Sequence, residues 1–321
     1  MKVLITGGAG FIGSHLSDRL LARGDEVYII DNLSTGSLSN ISHLESNPRF
    51  HVTIDTVQDQ KAVKELVARC DVIYHLAAAV GVQYIIDNPL ESLINNIRGT
   101  ETILEQANVE KKKVILASSS EIYGKKNGNV PFREDDDRIL GPTTVIRWSY
   151  STSKSVDELF ALAYWREKKL PTVIVRFFNV IGPRQTGRYG MVVPRFVKQA
   201  LLNHQITVHG DGEQRRCFTD IDDALDGLVA LAEHPNAVGE IFNLGSNFEI
   251  SIKDLAHKIK TMTESSSTIK FIPYEEAFAN GWYEDLHYRV PNLDKIRAAI
   301  NYNPKFDLDA TLRKIIAYHE A

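Results

Sequence analysis

Residues 2–13, "KVLITGGAGFIG", restrict the fold more than any other stretch of this chain. The β-rich apolar run "KVLITG" leads directly into Gly7, Gly10 and Gly13, and "FIGSHLSDRLLARG" (11–24) continues at helical spacing to Gly24. Glycines so placed between strand and helix permit a tight turn, let a pyrophosphate approach the backbone, and let the helix pack closely on its strand. The next strand-like run, "EVYIID" (26–31), ends in Asp31. An acidic residue at that point binds the ribose hydroxyls of a dinucleotide, and its charge repels a 2′-phosphate. NAD is therefore expected rather than NADP, with Phe11, Ile12 and Asn32 joining the glycines and Asp31 around it. Asp55, after the third strand, reads either as a cap on the adenine or as an exposed turn residue.

The first half of the chain keeps alternating. "FHVTID" (50–55), "DVIYHLAA" (71–78), "KVILASS" (113–119) and "PTVIVRFFN" (171–179) read as strands, with helical stretches between them, the longest at 89–108. Apolar runs of this kind suit a parallel sheet covered on both faces. The alternation predicts a Rossmann-type doubly wound α/β fold. After about residue 180 the rhythm changes to helices with short strands, at 206–210, 240–245 and 269–273. The expected division is 1–180 for the dinucleotide-binding domain and 181–321 for a smaller mixed lobe. No linker separates them and some chain should cross back, so one body with a cleft is expected.

Composition narrows the partners. A net charge of −4 over 321 residues argues against nucleic acid or an anionic membrane. Cys70 and Cys217 make neither a disulfide framework nor a metal cluster, so no metal site is expected and a reducing cytoplasm fits. No apolar run approaches the roughly 18 residues that span a bilayer.

Two stretches carry reactive groups. "SSSEIYG" (118–124) sets hydroxyls and a carboxylate at the end of a buried strand. "RWSYSTSK" (147–154) puts Tyr150 and Lys154 on one helical face, a turn apart. A phenol beside an ammonium and a nicotinamide cation has its pKa lowered and can act as a base near neutral pH.

"TGGAGFIG", "DNLSTG", "HLAA", "SSSEIYG", "YSTSK", "RFFNVIGPRQ" and "GDGEQRRCFTDIDD", in this order, resemble the extended short-chain dehydrogenase/reductases over essentially the whole chain. Members of that superfamily modify nucleotide-activated sugars. The resemblance implies that Ser120, Tyr150 and Lys154 form the catalytic set, with Ser119 beside them. It implies that Leu76, Ala77 and Ala78 line the cofactor, that Asn96 is the structural asparagine near it, and that Asn179 touches the sugar diphosphate. Arg188, Arg216 and Arg289 are the expected arginines of the nucleotide-sugar cleft, since guanidinium forks suit a diphosphate.

Glu121 directs the choice within the family. A hydroxyl followed by Glu resembles the decarboxylases and dehydratases, and "RWSYSTSK" and "EQRRCFTDI" look like the UDP-glucuronate decarboxylases. There Arg216 would face the sugar C5 and its carboxylate, and the product would be UDP-xylose or the UDP-4-keto-pentose. A UDP-hexose or UDP-hexuronate 4-epimerase is the alternative, followed by a 4,6-dehydratase and then a non-catalytic NAD sensor. A sensor would not need the Tyr150–Lys154 pair. A homodimer is expected by the same resemblance.

Overall fold

The computed structural model describes residues 1–126, 128–187, 190–277 and 285–320. Seven strands form one parallel sheet: β1 (Lys2–Thr6), β2 (Glu26–Asp31), β3 (Phe50–Ile54), β4 (Val72–His75), β5 (Lys113–Ser119), β6 (Thr172–Phe177) and β7 (Ile241–Leu244). Their order is β7-β6-β5-β4-β1-β2-β3. The order reverses between β1 and β4, so a crevice opens there at the carboxyl ends of the strands, where open α/β sheets bind ligands. This is the doubly wound α/β fold that the alternation predicts. β7 pairs with β6 from Ile241 opposite Ile174 to Leu244 opposite Phe177, so the chain does return to the sheet after residue 180.

Period-two alternation decides what each face buries. Val3 and Ile5 pack with Leu16 and Leu20 of α1 (Phe11–Arg23), whereas Leu4 between them faces Val63 and Leu66 of α2 (Gln60–Arg69). After a short α3 (Val82–Asp87), α4 (Pro89–Glu110) and α5 (Trp148–Lys168) cover that second face through Ile103, Leu104 and Ala161. β3 departs from the both-faces-covered expectation. It has a neighbour on one side only, and Val52 and Ile54 on its outer face are exposed.

The later part of the chain has its own core. Phe196 and Val197 of α6 (Val192–Leu201), Leu255 and Ile259 of the helix Ile252–Met262, and Leu312 and Ile315 of the helix Leu308–Glu320 meet there. A three-stranded sheet runs Glu249–Ser251, Arg215–Cys217, Tyr288–Arg289, and pairs Arg216 with Arg289. Two arginines far apart in sequence are thereby set side by side.

The glycine turn is tightly packed. Gly7 has φ +72°, in the left-handed region that favours glycine. A Cβ on Gly13 would stand 2.2 Å from the Gly7 carbonyl oxygen. Gly13→Ala should therefore cost about 1–3 kcal/mol, the usual range for overpacking. Denaturant unfolding without added cofactor checks this; an unchanged midpoint would show that α1 can move away from the turn.

Candidate active site

One continuous cavity of about 910 Å³ runs from the glycine turn past the end of β5 to the later part of the chain. Gly7, Gly10, Phe11, Ile12, Gly13, Asp31, Asn32, Asp55, Leu76, Ala77 and Ala78 all line it. A Cβ on Gly7 would press on the Ala77 backbone at 3.0 Å, so the turn and the segment after β4 form a narrow cradle. The Thr6 hydroxyl accepts from the Ala77 amide at 3.1 Å and fixes its far wall.

Asp31 is held by backbone amides. Its Oδ2 accepts from Ala9 N at 2.9 Å and its Oδ1 from Leu33 N at 2.8 Å. Burial raises its pKa, against these bonds and one from Gly10. A carboxylate has about four acceptor sites, so capacity remains for ribose hydroxyls. An anionic phosphate would meet a buried carboxylate. The cradle and this donor–acceptor set fit a dinucleotide without a 2′-phosphate. Asn32 closes a local turn, accepting from Ser34 N at 3.1 Å, and Asp55 accepts from the adjacent Thr56 N at 2.7 Å.

Asn96 is not among the residues lining the cavity. It is buried, accepting from Ala79 N at 2.7 Å and donating to Ser153 Oγ at 3.1 Å, and so ties α4 to α5 and to the loop after β4. The preceding Asn95 lines the cavity instead.

Tyr150 and Lys154 rise from one face of α5 into the cavity wall. The hydroxyl that interacts with the Tyr150 phenol is that of Ser119, the last residue of β5. Ser119 Oγ also accepts from Glu121 N at 3.2 Å and caps the single 3₁₀ turn Ser120–Tyr123. Ser120 begins that turn, lines the same wall and is buried. Ser118 faces the other way, donating to Glu158 at 2.6 Å.

The protonation states differ from the sequence expectation in one respect. Burial raises the Tyr150 pKa; Lys154 pulls it down, but Glu121 and Asp157 push it further up, and the net shift is upward. The chain's own groups thus do not lower the phenol, and the positive charge of a nicotinamide is needed to do so. Lys154 keeps its charge: burial works against it, but Asp157 at 3.0 Å outweighs that and raises its pKa.

Beyond Ser119 lies a buried charge cluster. Glu121 Oε2 accepts from Arg147 Nη2 at 2.9 Å, and its Oε1 pairs with Arg289. Arg289 also donates to Asn179 Oδ1, while Asn179 Nδ2 donates to Cys217 O at 2.8 Å. Arg216 donates to Asp285 Oδ1 at 2.9 Å, and Arg147 stands 3.9 Å from the same oxygen. Burial pushes both carboxyls up, yet the guanidiniums win: Glu121 lies below its ordinary value and Asp285 falls to about 2. Among the described residues, Arg147, Arg216 and Arg289 thus meet Glu121 and Asp285 in one wall of the cavity.

Arg188 lies outside the described residues. Sequence reasoning missed Arg147 and Asp285. Arg147 stands three residues before Tyr150, a spacing that signals a shared helical face. Asp285 follows a stretch with no pattern of its own, and nothing local marks it.

A doubly wound sheet with Ser, Tyr and Lys at the carboxyl end of its central strands, and a dinucleotide cradle beside them, is the arrangement of the extended short-chain dehydrogenase/reductases. Residues 4–315 match the family described as GDP-mannose 4,6 dehydratase, and the chain belongs to that family. It is 41% identical over 318 residues to a UDP-N-acetyl-alpha-D-glucosaminuronate decarboxylase of Bacillus cytotoxicus, covering 99% of this chain and 97% of that one. It is 36% identical to UDP-glucuronic acid decarboxylase 1 of Arabidopsis thaliana, over 99% of this chain and 69% of that one. The structure of UDP-glucuronic acid 4-epimerase from Bacillus cereus, in complex with UDP-glucuronic acid and NAD, superposes with a TM-score of 0.89 at 32% identity, covering 100% of this chain and 99% of that one.

Asp31→Ala removes the charge that opposes a 2′-phosphate. The unmutated protein should bind NAD at least about tenfold better than NADP, and the variant should narrow that ratio. Titration of both dinucleotides by calorimetry checks this; tighter binding of NADP by the unmutated protein would overturn the assignment.

Proposed function

We propose that this chain is an NAD-dependent UDP-hexuronate decarboxylase that works through transient oxidation at the sugar C4, with UDP-glucuronate as the leading substrate. The observation that carries the reading is Glu121 held between Arg147 and Arg289 in the cavity that also holds Tyr150. A hexuronate brings one carboxylate, and guanidinium forks in the same cavity wall suit it.

Gly7, Gly10 and Gly13 would seat the pyrophosphate of NAD and Asp31 its adenosine ribose. When bound, NAD accepts the hydride from C4 and later returns it. Tyr150 takes the proton of the 4-hydroxyl. Ser119, whose hydroxyl interacts with that phenol, holds the same oxygen, so the role first given to Ser120 passes to Ser119 in this reading. Ser120 and Glu121 shape the wall beside it. The ketone formed at C4 is β to the C6 carboxylate. The C5–C6 bond then breaks, carbon dioxide leaves, and its electron pair moves onto C5 and the C4 oxygen as an enolate. Tyr150, now protonated, steadies that oxygen, and Arg216 and Arg289 offset the negative charge passing from carboxylate to enolate. A proton is added at C5, and return of the hydride gives the UDP-pentose. Release before that return gives the 4-keto product.

Asn179, Arg188, Arg216 and Arg289 are the proposed nucleotide-sugar contacts, and 181–321 the part of the chain that supplies most of them. The 41% identical relative acts, by its name, on a 2-acetamido hexuronate, and that sugar is the second substrate to test. The likeness to UDP-glucuronic acid 4-epimerase supports epimerisation as the second reaction. We also propose a cytoplasmic homodimer. Leu159 on α5 and Leu90 on α4 are exposed apolar side chains on neighbouring helices and support such an interface. Among the described residues no helix is long and apolar enough to cross a membrane.

Incubation with UDP-glucuronate and with its 2-acetamido analogue, followed by NMR, should show loss of the C6 carboxylate. UDP-galacturonate formed without carbon dioxide would establish the epimerase instead. Tyr150→Phe should lower turnover by on the order of a hundredfold or more, the usual worth of a general base, with NAD still bound; near-normal turnover would place the base elsewhere. Glu121→Gln and Arg216→Ala should still form bound NADH on rapid mixing, yet release carbon dioxide at least about tenfold more slowly. Carbon dioxide at the unmutated rate would make Glu121 a structural strand-end residue.

A further inference from the structure

Beneath Tyr150 lies a buried polar chain that the reaction above does not use. The Lys154 ammonium donates to Asp157 Oδ2 at 3.0 Å, and Asp157 sits three residues on along α5 with its side chain wholly buried. The Thr100 hydroxyl of α4 lies close to Asp157 and stands 3.1 Å from Nε2 of His75 on β4. His75 Nδ1 in turn lies 2.8 Å from the Thr6 hydroxyl of β1. Burial, with Lys154 nearby, holds the His75 pKa down at about 3, so this ring is neutral and offers Lys154 no charge.

The other carboxylates around this point are committed elsewhere. Glu158 accepts from Arg176 of β6 at 2.9 and 2.7 Å and from Ser118 of β5 at 2.6 Å. Glu121, at the end of β5, is held by Arg147 and Arg289. Tyr150 is the remaining titratable group facing Lys154. Among the described residues Asp157 is thus the one carboxylate at ion-pair distance from Lys154.

A buried ammonium that must sit beside a nicotinamide cation loses its proton unless an anion compensates it. We infer that Asp157 is a positioning residue for the reaction: it anchors the Lys154 ammonium from below and keeps it protonated while Tyr150 gives up and regains its proton. An ammonium has three donors. One goes to Asp157, which leaves two for Tyr150 and for the cofactor ribose. The inference rests on the Tyr150–Lys154 assignment above and not on which sugar is bound.

The sign of the effect follows from the geometry. Without Asp157, the strongest charge opposing burial is gone, and Lys154 should lose its proton at lower pH. With NAD-loaded protein and UDP-glucuronate, the rate of bound NADH formation should hold into the alkaline range for the unmutated protein and for Asp157→Glu. For Asp157→Asn it should fall at least about one pH unit earlier, the scale of a lost neighbouring charge. An Asn variant that is slower at every pH but keeps the same alkaline limb would reduce Asp157 to a packing residue. A second measurement needs neither variant nor substrate: ε-¹³C-lysine NMR of the unmutated protein, with Lys154→Met to identify the resonance. Titration of Lys154 above the ordinary lysine value of about 10.4 supports the anchor, even in a protein inert toward UDP-glucuronate. Titration at or below that value overturns it.

Discussion

The buried Glu121 carboxylate is the contact on which the rest of the site depends. It reaches Arg147 at the start of α5 and Arg289 on the last strand of the smaller sheet. Three parts of the chain, separated by up to 168 residues, therefore meet at one side chain. Removing one partner of a buried ion pair leaves an uncompensated charge, which is far more costly than the pair is stabilising. The cluster is better understood as a device that fixes geometry. It ties the turn after β5 and the start of α5 to the later part of the chain.

Electrostatics at the two ends of this wall oppose each other. At Tyr150, burial and the neighbouring carboxylates keep the phenol protonated, and Lys154 alone does not reverse that. At Glu121 and Asp285 the guanidiniums keep both carboxyls ionised. Glu121 is accordingly suited to orient a substrate or to polarise arginines, and poorly suited to donate a proton. A cofactor cation would favour the ionised phenol at the Tyr150 end.

Much of the fold is legible in the sequence because its signals are local. The strand, the glycine turn and Asp31 lie within thirty residues, and Tyr150 and Lys154 are one helical turn apart. What escapes is the information that only tertiary contact supplies. β3 reads as a covered strand, yet it lies at one edge of the sheet with Val52 and Ile54 exposed. Ser119 and Ser120 are indistinguishable as letters, and the position at which β5 gives way to a 3₁₀ turn decides which hydroxyl meets Tyr150. Asn96 is near the site as expected, but its amide is spent on tying helices together. Arg147 and Asp285 acquire meaning only once β5, α5 and the smaller sheet are assembled around Glu121.

The central claim is that the cluster of Arg147, Arg216 and Arg289 with Glu121 and Asp285 is built for a sugar that carries one carboxylate. Calorimetric titration of the NAD-loaded Tyr150→Phe protein, in which turnover is suppressed, tests this most directly. UDP-glucuronate should bind at least about tenfold more tightly than UDP-glucose, the scale of one charge-assisted contact worth about 1.5–3 kcal/mol. The preference should shrink as salt is raised only to the extent that the cluster is solvated. Equal affinities for the two sugars would contradict the account.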